Sequence, residues 1–553
     1  MRAPSAVAQR TIQQVVMRPP PVRGLNTIDP LALMQPTDAI EMDNLISSDS
    51  GLALRQGWYE YATNIGGNSL HTVRTVLSFD DSTISSLASP LSQSELFATT
   101  DNGIFLIEGG GDMTAVAAEI ALSGSQYAGM LYSTQFAAGG GNYLISCSET
   151  DGAFFYDGVI WKKYVFTTGS AGAGQISGID PGNFVQVVAF KKRLGFVERN
   201  SGRAWFLPVN SFSGAALPFD FGPLFVHGGS LLALINWTQD AGQGTDDYLV
   251  ALSSAGDVAV YKGNDPTSAN DWACAGVWYI GTPPVGRRCF TTSGGNIYIV
   301  TEFGIIPIAQ IVQGGLDNVL TASTDQTKQL RKIQEQLRRD FQFNAAAAGW
   351  ELLYFPNQAL LQLARPAVSV TEHSQYVFHM HTLAWSRILD IPADTFYYRL
   401  GETYGGTADG RVLRVYDGAS DRMKIDSTGA QEVRARLTPA FDYFDSPPAT
   451  KRALMIRANF QAAQKPAYAV AMNVDLFINS NPNWPVSLTT GGSLWDRDYW
   501  DTRAVWGGGV GSWADWRSVR AMGKALSPTI FIASQQQVIL SSLSYMIQAG
   551  GPL

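Results

Sequence analysis

The sequence predicts an all-β protein: an irregular β-propeller of six to eight blades, six being favoured, with one inserted amphipathic helix and a C-terminal β-sandwich-like domain. Three observations predict it. Hairpins rich in Val, Ile, Tyr and Phe recur along the chain. Their first strands begin near residues 95, 142, 187, 247, 295 and 350, a spacing of roughly 45–60 residues, the order expected of a four-stranded blade. The composition, with 55 glycines, 11% aromatic and only 16% charged residues in 553, suits many short strands joined by tight turns. A long array of β-sandwiches is the competing architecture.

Residues 1–20 read as an extended arm ending in Arg18-Pro19-Pro20-Pro21, because consecutive prolines favour polyproline geometry. The next segment, Val22 to Trp58, carries turn residues (Gly24, Asn26, Pro30, Pro36, Gly51, Gly57) between short apolar pieces. It reads as a strap draped over a larger body and is grouped with the propeller, as region 21–430. Then come the hairpins: ELFATTDNGIFLIEG, NYLISCSETDGAFFYDG, VVAFKKRLGFVERNSGRAWFLPV, DDYLVALSSAGDVAVYKG, GGNIYIVTEFGIIPI, GWELLYFPNQALLQLA, YVFHMHTLAWSRIL and TYGGTADGRVLRVYDG. Most share one grammar. A β-rich strand leads into a polar turn, often with Gly at positive φ and Asp or Asn capping it, and a second strand follows. No WD dipeptide or kelch double-glycine signature recurs at the blade spacing, so the repeat is degenerate.

One stretch breaks the period of two. In TDQTKQLRKIQEQLRRDFQF, residues 324–343, Leu330, Ile333, Leu337 and Phe341 recur at helical spacing, and neither Pro nor Gly intrudes. This predicts one amphipathic helix capped by Ser323 or Thr324, with Lys328, Arg331, Lys332, Arg338 and Arg339 forming a basic face. Such a face is ordinarily just solvated; contact with an acidic subunit or with phosphate is the sharper reading. Residues 431–553 form longer β-rich runs separated by Pro turns, with a Trp- and Gly-rich segment, SLWDRDYWDTRAVWGGGVGSWADWRSV, inside them. They read as a second β domain.

The charge balance and motif inventory narrow the function. A formal charge of −8 and a pI near 5.3 disfavour a protein that grips nucleic acid by its phosphates. Cys147, Cys274 and Cys289 have neither disulfide-framework nor zinc spacing and read as three small core residues. His379 and His381 would share one face of a strand, without the further ligands a metal needs. No nucleophile elbow, phosphate loop or dinucleotide fingerprint occurs. The chain is expected to be no enzyme and to carry no cofactor or metal. It shows no secretion signal and no apolar run long enough to span a membrane, which predicts a soluble protein made in a cytoplasm. The tryptophans Trp495, Trp500, Trp506, Trp513 and Trp516 are its densest aromatic cluster. They read as loop packing, as interface anchors or as sugar-stacking residues.

The segment from PPPVRGLNTIDPLALMQPTDAIEMDNL to LRQGW resembles the opening of the tail nozzle proteins (tail tubular or packaged-DNA stabilisation proteins) of short-tailed bacteriophages. The resembling positions are Gly24 with Asn26, Asn44-Leu45, and Arg55 with Gly57. The helix followed by GWELLYFPNQALLQLARP and the terminal GGPL fit as well. The resemblance implies a structural virion component that is assembled in the host cytoplasm and resides in the tail. It implies a homo-hexameric ring attached to the portal-adaptor (head-to-tail connector) protein, with a tail fibre or needle below and double-stranded DNA in transient, non-specific contact within the channel. Arg18, Arg23, Asn26 and the five tryptophans are then candidate adaptor or inter-subunit contacts. An acidic wall suits such a conduit because it does not hold phosphates tightly. The alternative is a propeller tail protein that binds or cleaves glycans at a receptor.

Overall fold

The computed structural model describes residues 13–67, 71–80, 94–240, 245–268, 270–320, 325–344, 349–366, 373–424, 429–478, 482–485 and 511–549. It divides into two compact units, one made of residues 59–375 and 390–415, the other of residues 1–58, 376–389 and 416–553.

The first unit contains a ring of seven sheets, counted among the described residues, with a small sheet of Val165–Phe166, Gln175–Ser177 and Gly214–Ala215 beside it. The innermost strands of the seven are Val73–Asp80, Leu131–Ala138, Phe184–Phe190, Leu231–Asp240, Phe290–Ser293, Glu351–Phe355 and Thr395–Arg399. Each sheet packs against the next, and the seventh packs against the first, so the ring closes as a β-propeller does. Apolar side chains fill the spaces between successive sheets. Ile145, Phe155, Phe184 and Phe196 lie in one such layer, where the Phe184 and Phe196 rings stack 4.4 Å apart. The favoured count of six is corrected to seven. The hairpin spacing did not reveal that Thr395–Arg399, Glu402–Gly406 and Val412–Val415 form a further sheet. That sheet gains its outer strand, Trp58–Thr63, from before the first blade, which clasps the two ends of the ring together.

Between the fifth and sixth sheets the chain is helical, but not as one helix. Asp325–Leu330 and Gln334–Asn344 are separated by a turn through Arg331–Ile333. Gln329, Leu330, Lys332 and Ile333 around this turn are all buried. Before them lies a helix the sequence reading did not single out, Ile308–Leu320, interrupted at Gly315 with φ 76°. Thr324 and Ser323, the expected caps, lie outside the described residues. Among the described residues no helix is long and apolar enough to cross a membrane.

The second unit is a β-sandwich. One sheet runs Leu45–Ser48, Gly51–Leu54, Val538–Ala549, Lys451–Ala462, Gly511–Gly523, with Gln13–Arg18 also paired to Val538–Ala549. In the other, the hairpin within 376–389 is followed by Ala39–Asp43, Val433–Pro439, Leu526–Ser534 and Ala467–Val474. Met42, Leu45, Leu437, Ile456, Phe460, Ile532 and Leu540 form the core between them. Residues 21–58, grouped above with the propeller, thus build the sandwich instead. Ala39 and Met42 are fully buried in it, because Ala39–Asp43 is inserted between Ala384–Leu389 and Val433–Pro439.

Candidate functional site

The N-terminal residues that carry the resemblance lie in the second unit and act together there, whereas residues 349–366 belong to the first unit and the terminal GGPL lies outside the described residues. Gly24 adopts φ 75° with the Trp385 backbone against its Cα, so a side chain has no room. Asn26 is buried. Its side-chain amide donates to Asp29 Oδ2 and Asp38 Oδ2, both at 2.8 Å, and its Oδ1 accepts from the backbone of Ile28 and Asp29. Asn44, with φ 58°, donates to the Arg434 carbonyl at 2.7 Å and accepts from the Leu389 N–H at 2.8 Å. Leu45 is a core residue. Arg55 is enclosed completely, donating to Asn44 Oδ1 at 2.9 Å, to the Leu389 carbonyl at 3.0 Å and, through two nitrogens, to Asp421. Gly57 meets the Ser420 backbone so closely that no Cβ fits. Beside them Arg387 forks onto Asp43 at 2.7 and 2.9 Å. Burial pulls the Arg387 pKa down, but the hydrogen bonds to Asp43 outweigh it and hold it above the ordinary arginine value.

Upstream, the arm strand Gln13–Arg18 pairs antiparallel with Val538–Ala549, from Gln13↔Gln548 to Arg18↔Leu543. Arg18 pins its end. Its Nε lies 2.7 Å from Asp442 Oδ2, its Nη2 lies 3.1 Å from Asp445, and its guanidinium sits over the Phe444 ring. The hydrogen bond to Asp442 raises its pKa most, with burial opposing. Of the contact candidates, Arg18 therefore anchors the arm within the chain, and Asn26 ties together the following segment through Asp29 and Asp38. Arg23 is exposed, its backbone N–H donating to Thr37.

The other candidates divide. Trp495, Trp500 and Trp506 lie outside the described residues. Trp513 packs on the sandwich core and donates Nε1 to the Ala462 carbonyl at 3.1 Å. Trp516 lies on the opposite face of the same strand beneath Arg457, whose guanidinium is 4.9 Å from its ring. Of the basic helix residues, Lys328, Arg338 and Arg339 are exposed, Arg331 is half-buried beside Gln334 and Lys332 is buried. The expected basic face is thus broken by the turn at 331–333.

Sequence reasoning missed the axis of the propeller. Arg288, in the loop entering the fifth sheet, reaches four other sheets. It donates to the carbonyls of Arg74 (3.0 Å) and Leu131 (3.2 Å) and to the hydroxyls of Thr75 and Thr395, and it pairs with Glu351 at 3.4 Å. Its guanidinium therefore lies on the ring's axis and fills it. Next to it Arg287 pairs with Glu149 at 2.7 Å. The dipeptide Arg287-Arg288 carries no recognisable pattern, so only the closed ring exposes its role.

A degenerate repeat signature also emerges. His71 Nδ1 lies 2.9 Å from Asp101, Ser123 donates to Asp151 at 2.9 Å, and His227 Nδ1 lies 2.7 Å from Asp257. Each pair ties the loop entering a sheet to the turn between its second and third strands. The histidine pair differs from expectation. His379 ends a strand and His381 sits in the following turn, with His379 Nδ1 held by Thr382. Cys147 and Cys289 are buried as expected, whereas Cys274 is exposed because it lies on an outer strand, Ala273–Tyr279.

No protein-family model and no curated protein sequence matches this chain. Among solved structures, YCF48 from Cyanidioschyzon merolae is similar over 64% of this chain and 98% of its own, at 12% identity and a TM-score of 0.36. YCF48 bound to D1 peptide is similar over 65% and 94%, at 12% identity and 0.34. BBS1N in complex with ARL6DN is similar over 43% of this chain and 64% of its own length, at 11% identity and 0.26. These likenesses concern the fold alone.

Proposed function

We propose that this chain is a structural virion component, one wall subunit of a tail nozzle ring that retains packaged DNA and conducts it during ejection. The observation that carries the reading is the cooperation of the resembling residues. Gly24, Asn26, Asn44, Leu45, Arg55 and Gly57 belong to one anchoring system of the N-terminal segment. A resemblance that falls on positions used together by the fold has more weight than one spread over unrelated surface sites. The filled axis adds a constraint. A duplex whose major groove alone is about 12 Å wide has no passage past Arg288, so the conduit of this reading runs between copies. Each copy then contributes its outer surface, and the acidic balance of the chain lets DNA slide.

The partners of this reading are five further copies, the head-to-tail connector above and a fibre or needle below. The test is to mix the purified protein with that connector and weigh the product by light scattering. Six copies per connector ring are expected. A chain that stays monomeric and never joins the connector overturns the proposal.

A further inference from the structure

The sandwich sheet that carries the arm has a charge pattern opposite to that of the chain. Its strands hold six basic residues, Arg18, Lys451, Arg452, Arg457, Arg517 and Arg520, and one carboxylate, Asp515. The sheet thus carries +5 within a chain of formal charge −8, which leaves −13 on the remainder. Three of the cations are committed internally. Arg18 pairs with Asp442, Lys451 donates to the carbonyls of Ser446, Ala449 and Lys524, and Arg517 lies 4.9 Å over the Tyr468 ring.

The other three are on the outer face. Ile456, Ala458 and Phe460 point into the core, so their alternates face outward. Strand register lays out three outer rows: Val15–Met546–Met455–Ser518, Met17–Ser544–Arg457–Trp516 and Gln13–Gln548–Arg452–Met522. Arg520 lies at a bulge between the inward-packed Val519 and Ala521. Met17 is 66% exposed and Met522 67%. A face of Met, Trp and Arg without acids has the composition of a protein interface.

We infer that this face binds a second copy of the chain, by contact with the acidic remainder of its neighbour. Charge complementarity selects that occupant. A basic face on one copy against a different, acidic surface on the next is a heterologous contact, which builds a ring when the rotation closes. The strand edge itself is poorly suited to pairing. Gly511–Gly523 turns Asp515 and Arg517 toward Lys465 and Tyr468, and it is kinked at Arg520 with φ 43°, devices that block strand addition. The face, not the edge, is therefore the contact. The inference rests on the ring reading above.

The test is sedimentation of the full chain at low and high salt, with R452E/R520E beside the native protein. Both residues are exposed, and the variant leaves Arg457 on Trp516 in place; an unchanged Tm confirms folding. Native self-association that weakens with salt, and an apparent Kd raised at least about 100-fold in the variant, are expected. M17S/M522S provides an uncharged second probe and is expected to weaken association about tenfold. A native chain that is monomeric at every salt, or a double variant that associates as the native does, overturns the inference. So does a variant that loses only duplex DNA or connector binding. Self-association that needs these arginines, in a chain that joins no connector, keeps this inference and removes the nozzle reading. Association indifferent to them, in a chain that does join, removes this inference alone.

Discussion

Arg55 grips Asp421 through two parallel hydrogen bonds, Nη1 to Oδ1 at 2.7 Å and Nη2 to Oδ2 at 2.5 Å, across 366 positions of sequence. The arginine side chain is fully enclosed and the carboxylate nearly so. Breaking such a pair from one side strands a buried charge, at a cost of about 3–5 kcal/mol. Asp421→Ala is expected to destabilise the sandwich by that amount in denaturant unfolding. Arg55→Lys is expected to do nearly as badly, because an ammonium cannot reproduce the fork.

The Arg288 guanidinium gives the propeller a comparable test. Replacing it by Met leaves Glu351 without its cation and frees the Arg74 and Leu131 carbonyls. Buried groups left unpaired cost about 1–3 kcal/mol each. Arg288→Met is expected to lower the unfolding midpoint and to speed hydrogen exchange in Val73–Asp80 and Thr395–Arg399, the inner strands it joins.

Acid is expected to loosen the ring at its clasp. Arg411 lies 2.8 Å from both Glu60, on the closing strand, and Asp409. Burial raises the Asp409 pKa, but its hydrogen bonds with Arg411 and Thr407 outweigh this and hold it below the usual carboxylate value. A carboxylate with a depressed folded pKa stabilises fully above its unfolded value of about 3.9. That contribution is lost as pH falls through the folded pKa. Exchange protection of Trp58–Thr63 should therefore fall below about pH 4. Asp409→Asn should flatten that dependence; an unchanged slope in the variant would assign it to another group.

Much of this fold was legible in the sequence, and the exceptions have physical reasons. The turn cores TDNG, ETDG and SSAGD mark hairpins because Gly and Asp are required there, and the structure places a turn at each. The central hairpin of the seventh sheet, within TYGGTADGRVLRVYDG, was recognised but not counted as a blade of its own, because its outer strand, Trp58–Thr63, comes from the far end of the ring. Long-range strand pairing leaves no local period. The helix Ile308–Leu320 was hidden by Gly314 and Gly315, and by an apolar start that reads equally as strand. In the N-terminal segment the right residues were singled out for a different role. Polar residues in a Pro- and Gly-rich stretch look exposed, yet Asn26, Asn44 and Arg55 are buried, each held by several hydrogen bonds. The filled axis was not legible at all, since Arg288 meets Thr75, Leu131, Glu351 and Thr395 only when the ring is closed.

Asp257, at the end of the SSAG turn, accepts from the His227 backbone at 2.7 Å and from its ring, while that ring stacks on Tyr279 3.8 Å away. Asp257→Ala removes both acceptors from a buried position. A loss of about 2 kcal/mol is expected, with exchange rising first in the turn and the loop at 227–230. A variant as stable as the native chain would show that the cross-turn pair contributes nothing to the blade.

The central claim is that the chain is one wall subunit of a ring-shaped conduit. Electron cryo-microscopy of the protein mixed with the head-to-tail connector tests it most directly. The account predicts a closed sixfold ring on the connector, with one open channel between copies and each propeller's own axis shut at Arg288. Particles that remain single chains beside an unoccupied connector would contradict it.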